Sequence, residues 1–159
     1  MTQNKANDFL GRILLVADGS TSSDEAARFA FRLAAKAAAK VVAAYPVDTA
    51  TMDYLLQMHI FVEDEREDFE EALVLKGNSY LARMLEMGQQ FHVETECVMC
   101  KGRFHLSLLE TAHKHHCDLI VIGTWHNASQ AHDNFSNERE LLVQLADCAV
   151  TVVKMPRKI

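Results

Sequence analysis

Proline is scarce in this chain: Pro46 and Pro156 are the only two among 159 residues, and glycine occurs six times. Neither residue gathers into a linker, so nothing marks a domain boundary, a short repeat or a low-complexity tract. No apolar run approaches the roughly 20 residues that a membrane-spanning helix needs. The segment Met1–Gly11 has none of the apolar core of a secretory signal. Positive charge is also in deficit, with 16 Lys and Arg against 22 Asp and Glu and a net charge of -6. A general nucleic-acid binder needs a basic face to neutralise phosphates. Neither nucleic acid nor membrane is therefore expected as a partner, and a cytoplasmic protein is. Four cysteines in that compartment are expected to stay reduced.

What is present is a hydrophobic content of 49%, enough for one core, and residues 1–159 read as a single domain with residues 1–10 as a flexible N-terminus. Two short apolar runs end on turn residues. Arg12–Ala17 leads into Asp18-Gly19-Ser20, and Leu119–Ile122 leads into Gly123-Thr124. Such runs read as strands buried on both faces. Between them, Ser22-x-x-Glu25 has capping-box spacing, and Ala26, Phe29, Ala30, Leu33, Ala34 and Ala37 share one helical face. Val41–Val47 is a second strand. Thr51–Gln90 is mostly helical, with Met52, Leu55, Leu56, His59 and Ile60 on one helix and Phe69, Leu73, Tyr80, Leu81, Met84 and Leu85 on another, joined near Val62–Glu65. His92–Met99 is a third strand, with Val93, Thr95, Cys97 and Met99 on one face and Gly102 at its end. A helix follows over Phe104–His116. A polar loop spans Thr124 to Phe135, and a last helix, Ser136–Ala146, buries Leu141, Leu142 and Leu145. Val150–Lys154 closes the chain as a fifth strand. This βαβαβαβαβ order predicts an open parallel sheet with right-handed crossovers, whose ligands sit at the carboxyl ends of the strands.

Three segments resemble the universal stress protein family: Ile13–Ser20 with Ser23, Glu25 and Ala26; Gly102 with Leu108–Ala112 and Asp118–Gly123; and Cys148–Val153. The resemblance implies an adenine nucleotide alpha hydrolase-like fold, a three-layer α/β sandwich on a five-stranded parallel sheet of order 3-2-1-4-5. Many members of that family bind ATP through Gly-x-x-Gly, a spacer and Gly-Ser or Gly-Thr after the fourth strand, with an Asp after the first strand at the ribose. Glycines there let backbone N–H groups approach phosphates, and a helix N-terminus faces them. In this chain Asp18 and Gly123 match that pattern. His126 stands at the second glycine, Ser136 at the third, and Asn137 at the following Ser or Thr. Asp133 and Glu138 add negative charge nearby, whereas His126, His132 and Arg139 offer side-chain donors instead of backbone ones. The resemblance thus implies a member that does not take ATP in the usual way and works through dimerisation and protein partners. The alternative is a regulator or weak ATPase that binds an adenine nucleotide (ATP, ADP or AMP) through Ala17, Asp18, Val41, Val42, Ile122, Gly123, His126, Ser136 and Asn137. It also implies a homodimer through the last strand, Val150, Thr151, Val152 and Val153.

Other features read as structural. Asp18 is equally suited to an Asx turn onto Ser20 or Thr21. Cys97 and Cys100 have C-x-x-C spacing, but on a strand residues three apart face opposite ways, so packed thiols are expected. His113, His115 and His116 suit a helix C-terminus. No metal-ligand set is complete. Trp125 is expected to cover the ligand loop. The serines and threonine of Ser20–Ser23 have no base beside them and no nucleophile-elbow pattern, so no catalytic residue is assigned.

Overall fold

The structure is a computed structural model that describes residues 9–125 and 134–156. These form β1 (Arg12–Val16), α1 (Thr21–Ala37), β2 (Lys40–Asp48), α2 (Thr49–Gln57), α3 (Glu63–Gln90), β3 (Thr95–Gly102), α4 (Phe104–Lys114), β4 (Leu119–Gly123), α5 (Asn134–Leu145) and β5 (Ala149–Val153). The strands pair in parallel in the order β3-β2-β1-β4-β5, as expected. The polar N-terminal segment, through residue 8, lies outside the described residues, as does the polar loop from residue 126 to 133.

The central strands are apolar on both faces because each face meets a helical layer. On one side Ile13, Leu15, Val41 and Ala43 pack with Ala26, Ala30, Phe31 and Ala34 of α1 and Tyr80, Leu81 and Met84 of α3. On the other, Leu14, Val16, Val42 and Ala44 pack with Phe104, Leu108 and Ala112 of α4 and Leu142 of α5. Small alanines let α1 lie close on the sheet. Its inner face is rotated from the expected one. Phe31 is fully buried and stacks near Phe91, whereas Phe29 points outward. Ile60, Phe69, Leu85 and Leu145 are likewise exposed. Leu145 sits at the solvent side of α5 because that helix turns Ser136, Glu138, Arg139 and Leu142 inward instead. β3 starts three residues later than expected and runs to Gly102, because α3 extends through Gln90 and ends in a two-bond wrap. There His92 takes a left-handed conformation (φ 56°), and the Val93 N–H donates to the Gly88 carbonyl at 2.8 Å. His59 and His116 end α2 and α4 in the same way, with φ of 56° and 53°. His116 therefore serves the helix end by its backbone. Histidine is among the non-glycine residues that tolerate this region.

The strand ends that matter are those of β1 and β2. β1 pairs with β2 only as far as Val16 opposite Ala44, and the Ala17 N–H donates to the Ala44 carbonyl. Residues of β2 in step with Ala44 turn their peptide groups toward β1, so Pro46 places its missing N–H beyond the end of β1, where it breaks no ladder bond. The chain leaves β1 there, and a cleft opens between the departing loops. Among the described residues no helix is long and apolar enough to cross a membrane.

Candidate functional site

The cleft begins at Asp18. Gly19 takes φ 82°, a conformation that costs a glycine nothing. The turn brings Ser20 to the extended conformation of an N-cap, and its side chain accepts from the Ser23 N–H. The cap is therefore Ser20, not Ser22, and the Ser22–Glu25 box does not form; Glu25 pairs with Arg28 instead. One carboxylate oxygen of Asp18 accepts from the Ser20 N–H at 3.0 Å and from the Ser20 hydroxyl at 2.6 Å. This is the Asx turn. The other accepts from Arg139 Nη2 at 3.1 Å.

Arg139 comes from the second turn of α5 and its side chain is 6% exposed. Its guanidinium lies 4.2 Å from the Phe104 ring centroid and 3.2 Å from that of Phe135, and donates to the Phe135 carbonyl at 3.2 Å. The planar cation is thus held between two aromatic faces and aimed at Asp18.

Its neighbour Glu138 is also buried. It accepts from Arg103 Nε at 2.8 Å and from the backbone N–H of His105 at 3.1 Å, and it meets His105 Nδ1 at 2.5 Å. Arg103 stands at the N-cap of α4 and makes no side-chain cap bond. Glu138 caps α4 from another helix. Burial by itself would raise its pKa, but the hydrogen bonds from His105 and Arg103 outweigh that and hold the carboxyl below its ordinary value.

Two further anchors frame the space. Asp48 accepts from the Thr51 N–H at 3.0 Å and the Thr51 hydroxyl at 2.7 Å, which caps α2. The Tyr80 hydroxyl donates to Asp24 at 2.7 Å and lies 2.9 Å from the Ser23 hydroxyl. Burial pushes the Tyr80 phenol well above its usual pKa, so it works as a neutral hydrogen-bonding group. Between these walls lies a cavity of about 670 Å³ that includes Asp18, Tyr45, Pro46, Asp48, Phe104, Phe135, Glu138 and Arg139. A second lobe of about 700 Å³ shares Asp18, Gly19, Tyr45 and Leu73 and runs along α3. An open cleft at the carboxyl ends of a doubly wound sheet is where such folds place ligands.

Residues 10–154 match the model of the universal stress protein family. The chain belongs to the universal stress protein family. It is 30% identical over 147 residues to universal stress protein MJ0531 of Methanocaldococcus jannaschii, covering 92% of this chain and 84% of that one. A universal stress protein structure from Burkholderia pseudomallei superposes with a TM-score of 0.72 at 21% identity, covering 91% of this chain and 96% of the other. The universal stress protein of Archaeoglobus fulgidus, solved in complex with dAMP, has a TM-score of 0.62 at 15% identity over 91% and 98%. At these identities the two structures speak for the fold.

Within that universal stress protein fold, the residues nominated from sequence that lie among the described ones take the following places. Ala17 is buried and Asp18 stands at the cleft. Val41 and Val42 lie near the start of β2, paired with Ile13 and Leu14 and buried in opposite cores. They lie away from the cleft, and β2 contributes Tyr45, Pro46 and Asp48 in their stead. Ile122 is buried on the α4–α5 side. Gly123 pairs with Val153, and a Cβ there would come within 2.4 Å of the Ser22 carbonyl oxygen. Its lack of a side chain is what lets the first turn of α1 close on β4. Ser136 is buried and Asn137 exposed; His126 lies outside the described residues. Trp125 packs against the α4–α5 core and lies with Glu140, Val152 and Lys154, not among the residues that line the cleft.

Cys97 donates to the Leu81 carbonyl on the α3 side, while Cys100 lies 3.1 Å from the Thr111 hydroxyl on the α4 side. The C-x-x-C pair is split across the sheet. Burial raises the pKa of all four thiols, that of Cys117 to about 12. Cys100 is buried, Cys117 and Cys148 are half-buried, and Cys97 is exposed. No cluster of three His, Cys, Asp or Glu suited to a metal occurs among the described residues. Sequence reasoning did not nominate Phe104, His105 and Arg103. Only the Glu138-Arg139 pair on the last helix hinted that polar partners must face it.

Proposed function

We propose that this chain is a cytoplasmic, non-enzymatic stress-response protein that does not take ATP in the manner of the triphosphate-binding family members. The observation that carries this reading is the Asp18–Arg139 contact at 3.1 Å. The carboxylate that the family resemblance assigns to the ribose is already engaged by Ser20 and Arg139. Behind it, the start of α5 carries the buried Glu138 carboxylate, which opposes a triphosphate at that helix end. Titration calorimetry with ATP, ADP and AMP, with and without Mg²⁺, tests it. ATP is expected not to saturate the protein at low millimolar concentration, and a micromolar dissociation constant for ATP would overturn the reading.

The same proposal includes a homodimer through β5. That strand has a neighbour on one side only, and its residues Val150, Thr151, Val152 and Val153 are half-buried in the single chain. An unpaired apolar edge is a liability that pairing with a two-fold mate removes. Val152→Asp is expected to give a folded monomer in sedimentation velocity; a folded dimer would place the interface elsewhere. Protein partners would then act on the dimer.

A second reading is favoured by the cleft itself. Its volume and its lining by Tyr45, Pro46 and the exposed Phe135 ring suit one nucleobase. An adenine mononucleotide, which needs no triphosphate cradle, is the ligand that this reading assigns.

A further inference from the structure

We infer that the lobe along α3 is an anion subsite, built by Lys76, Ser79 and Arg83, which holds the phosphoryl group of a phosphomonoester whose ring occupies the Phe104–Phe135 lobe. The inference deepens the mononucleotide reading and rests on it. It places the charged end of the ligand on the opposite side of Asp18 from α5.

Three observations carry it. First, the two lobes share Asp18, Gly19, Tyr45 and Leu73, so they form one trough across the strand ends. Second, Lys76, Ser79 and Arg83 follow one another at helical spacing and line that trough. Lys76 and Ser79 have no side-chain partner among the described residues. Arg83 lies over the Tyr80 ring at 5.4 Å and reaches Asp24 only at 3.9 Å, with its own side chain 62% exposed. A pair that long and that solvated contributes little and leaves the guanidinium free to turn. Third, α3 is drawn onto the cleft at Gly77, where a Cβ would come within 2.6 Å of the Tyr45 ring and 2.9 Å of Met99. A mid-helix glycine costs about 1 kcal/mol relative to alanine. What it permits is the close approach that brings Lys76 and Arg83 to the mouth of the trough.

The charge balance favours the same side. At the α5 wall Glu138 is buried beside Arg139, and Arg139 is committed to Asp18. At the α3 wall two cations and a hydroxyl face an aspartate already satisfied by Arg139 and Ser20. A phosphomonoester near neutral pH carries about -1.5 to -2 charges and three acceptor oxygens. Charge-assisted bonds from Lys76 and Arg83 with a neutral one from Ser79 match that group.

The test compares AMP with adenosine and inorganic phosphate by calorimetry on the full chain. AMP is expected to bind about tenfold or more tightly than adenosine. In the Lys76→Ala, Arg83→Ala double variant, that advantage is expected to shrink to about twofold while the adenosine affinity stays unchanged. Both positions are solvent-facing, and circular dichroism checks the fold. Lys76→Arg with Arg83→Lys keeps both charges and is expected to retain most of the advantage. If AMP binds and its advantage survives the double alanine variant, the α3 subsite is wrong while the mononucleotide reading stands. If neither AMP nor adenosine binds, the mononucleotide reading fails and the subsite falls with it.

Discussion

The two walls of the cleft are built by different means. The α1 wall is local. Asp18, Gly19, Ser20 and Ser23 lie within six residues, and their contacts run between short side chains and the backbone around them. The α5 wall is assembled over distance. Glu138 meets Arg103 and His105 from 35 and 33 residues away, and Arg139 meets Asp18 across 121. Its long-range contacts join charged or ionisable side chains, with one backbone N–H of His105 added, and both Glu138 and Arg139 are buried. The comparison teaches how differently the two sides of one cleft are specified. A phosphate cradle needs bare backbone donors at a helix N-terminus. Here α5 turns a carboxylate and a guanidinium inward, and each has its own partners: Arg103 and His105 for Glu138, Asp18 and the Phe135 carbonyl for Arg139. One wall is set by local turn chemistry, and the other is held by long-range polar contacts.

Glu138→Ala breaks this comparison most sharply. It deletes the cap of α4 and leaves the buried His105 N–H and ring nitrogen without their acceptor. The expected cost is about 2–3 kcal/mol in denaturant unfolding, below the range for fully buried pairs because Arg103 can rehydrate. Its side chain is 52% exposed. Acid sharpens the point. The folded protein holds Glu138 below its ordinary pKa, so its stabilisation is fully present above the unfolded value, near 4.5. It is lost as pH falls from there through the lower folded value. Glu138→Gln keeps an acceptor for the His105 N–H, and it is expected to flatten the stability profile below that pH. A cost under about 0.5 kcal/mol for Glu138→Ala would mean that the wall is a surface arrangement without structural weight.

The same division governs what could be read from the chain in advance. The runs of β1 and β4 were legible because strands covered on both faces must be apolar throughout, and the Asx turn at Asp18 was legible because its partner is two residues away. Helix phase was less so. Phe29 and Phe31 both lie near the apolar stripe of α1, and only packing against Phe91 selects Phe31. The cap was misplaced because Ser20–Ser23 are all hydroxyl residues, and the positive φ of Gly19 decides among them. Val41 and Val42 carried no local sign of lying at the wrong end of their strand; that depends on how far β1 runs beside β2. On the site, Glu138 and Arg139 stood out as charges on a helix start. Their partners Arg103, His105 and Phe104 are linked to them by no spacing rule.

A smaller effect is expected on the local wall. Ser20→Ala removes the acceptor of the Ser23 N–H, at 3.2 Å, and one of the three donors to Asp18. The Ser20 backbone N–H still donates to Asp18, so the turn survives. Ser20 is exposed, so water replaces the lost acceptor at the helix end, and the expected cost is about 1 kcal/mol, with the unfolding slope unchanged. Ser20→Asn retains a capping oxygen and is expected to recover most of it. If Ser20→Ala instead costs as much as Glu138→Ala, the local wall is not independent. Its cap would then be coupled through Ser23 to the Tyr80 hydroxyl and Asp24, which lie on the path from α1 to α3. A double variant, Ser20→Ala with Tyr80→Phe, separates the cases: additive costs keep the wall local, and a cost well short of the sum makes it part of the α3 side of the trough.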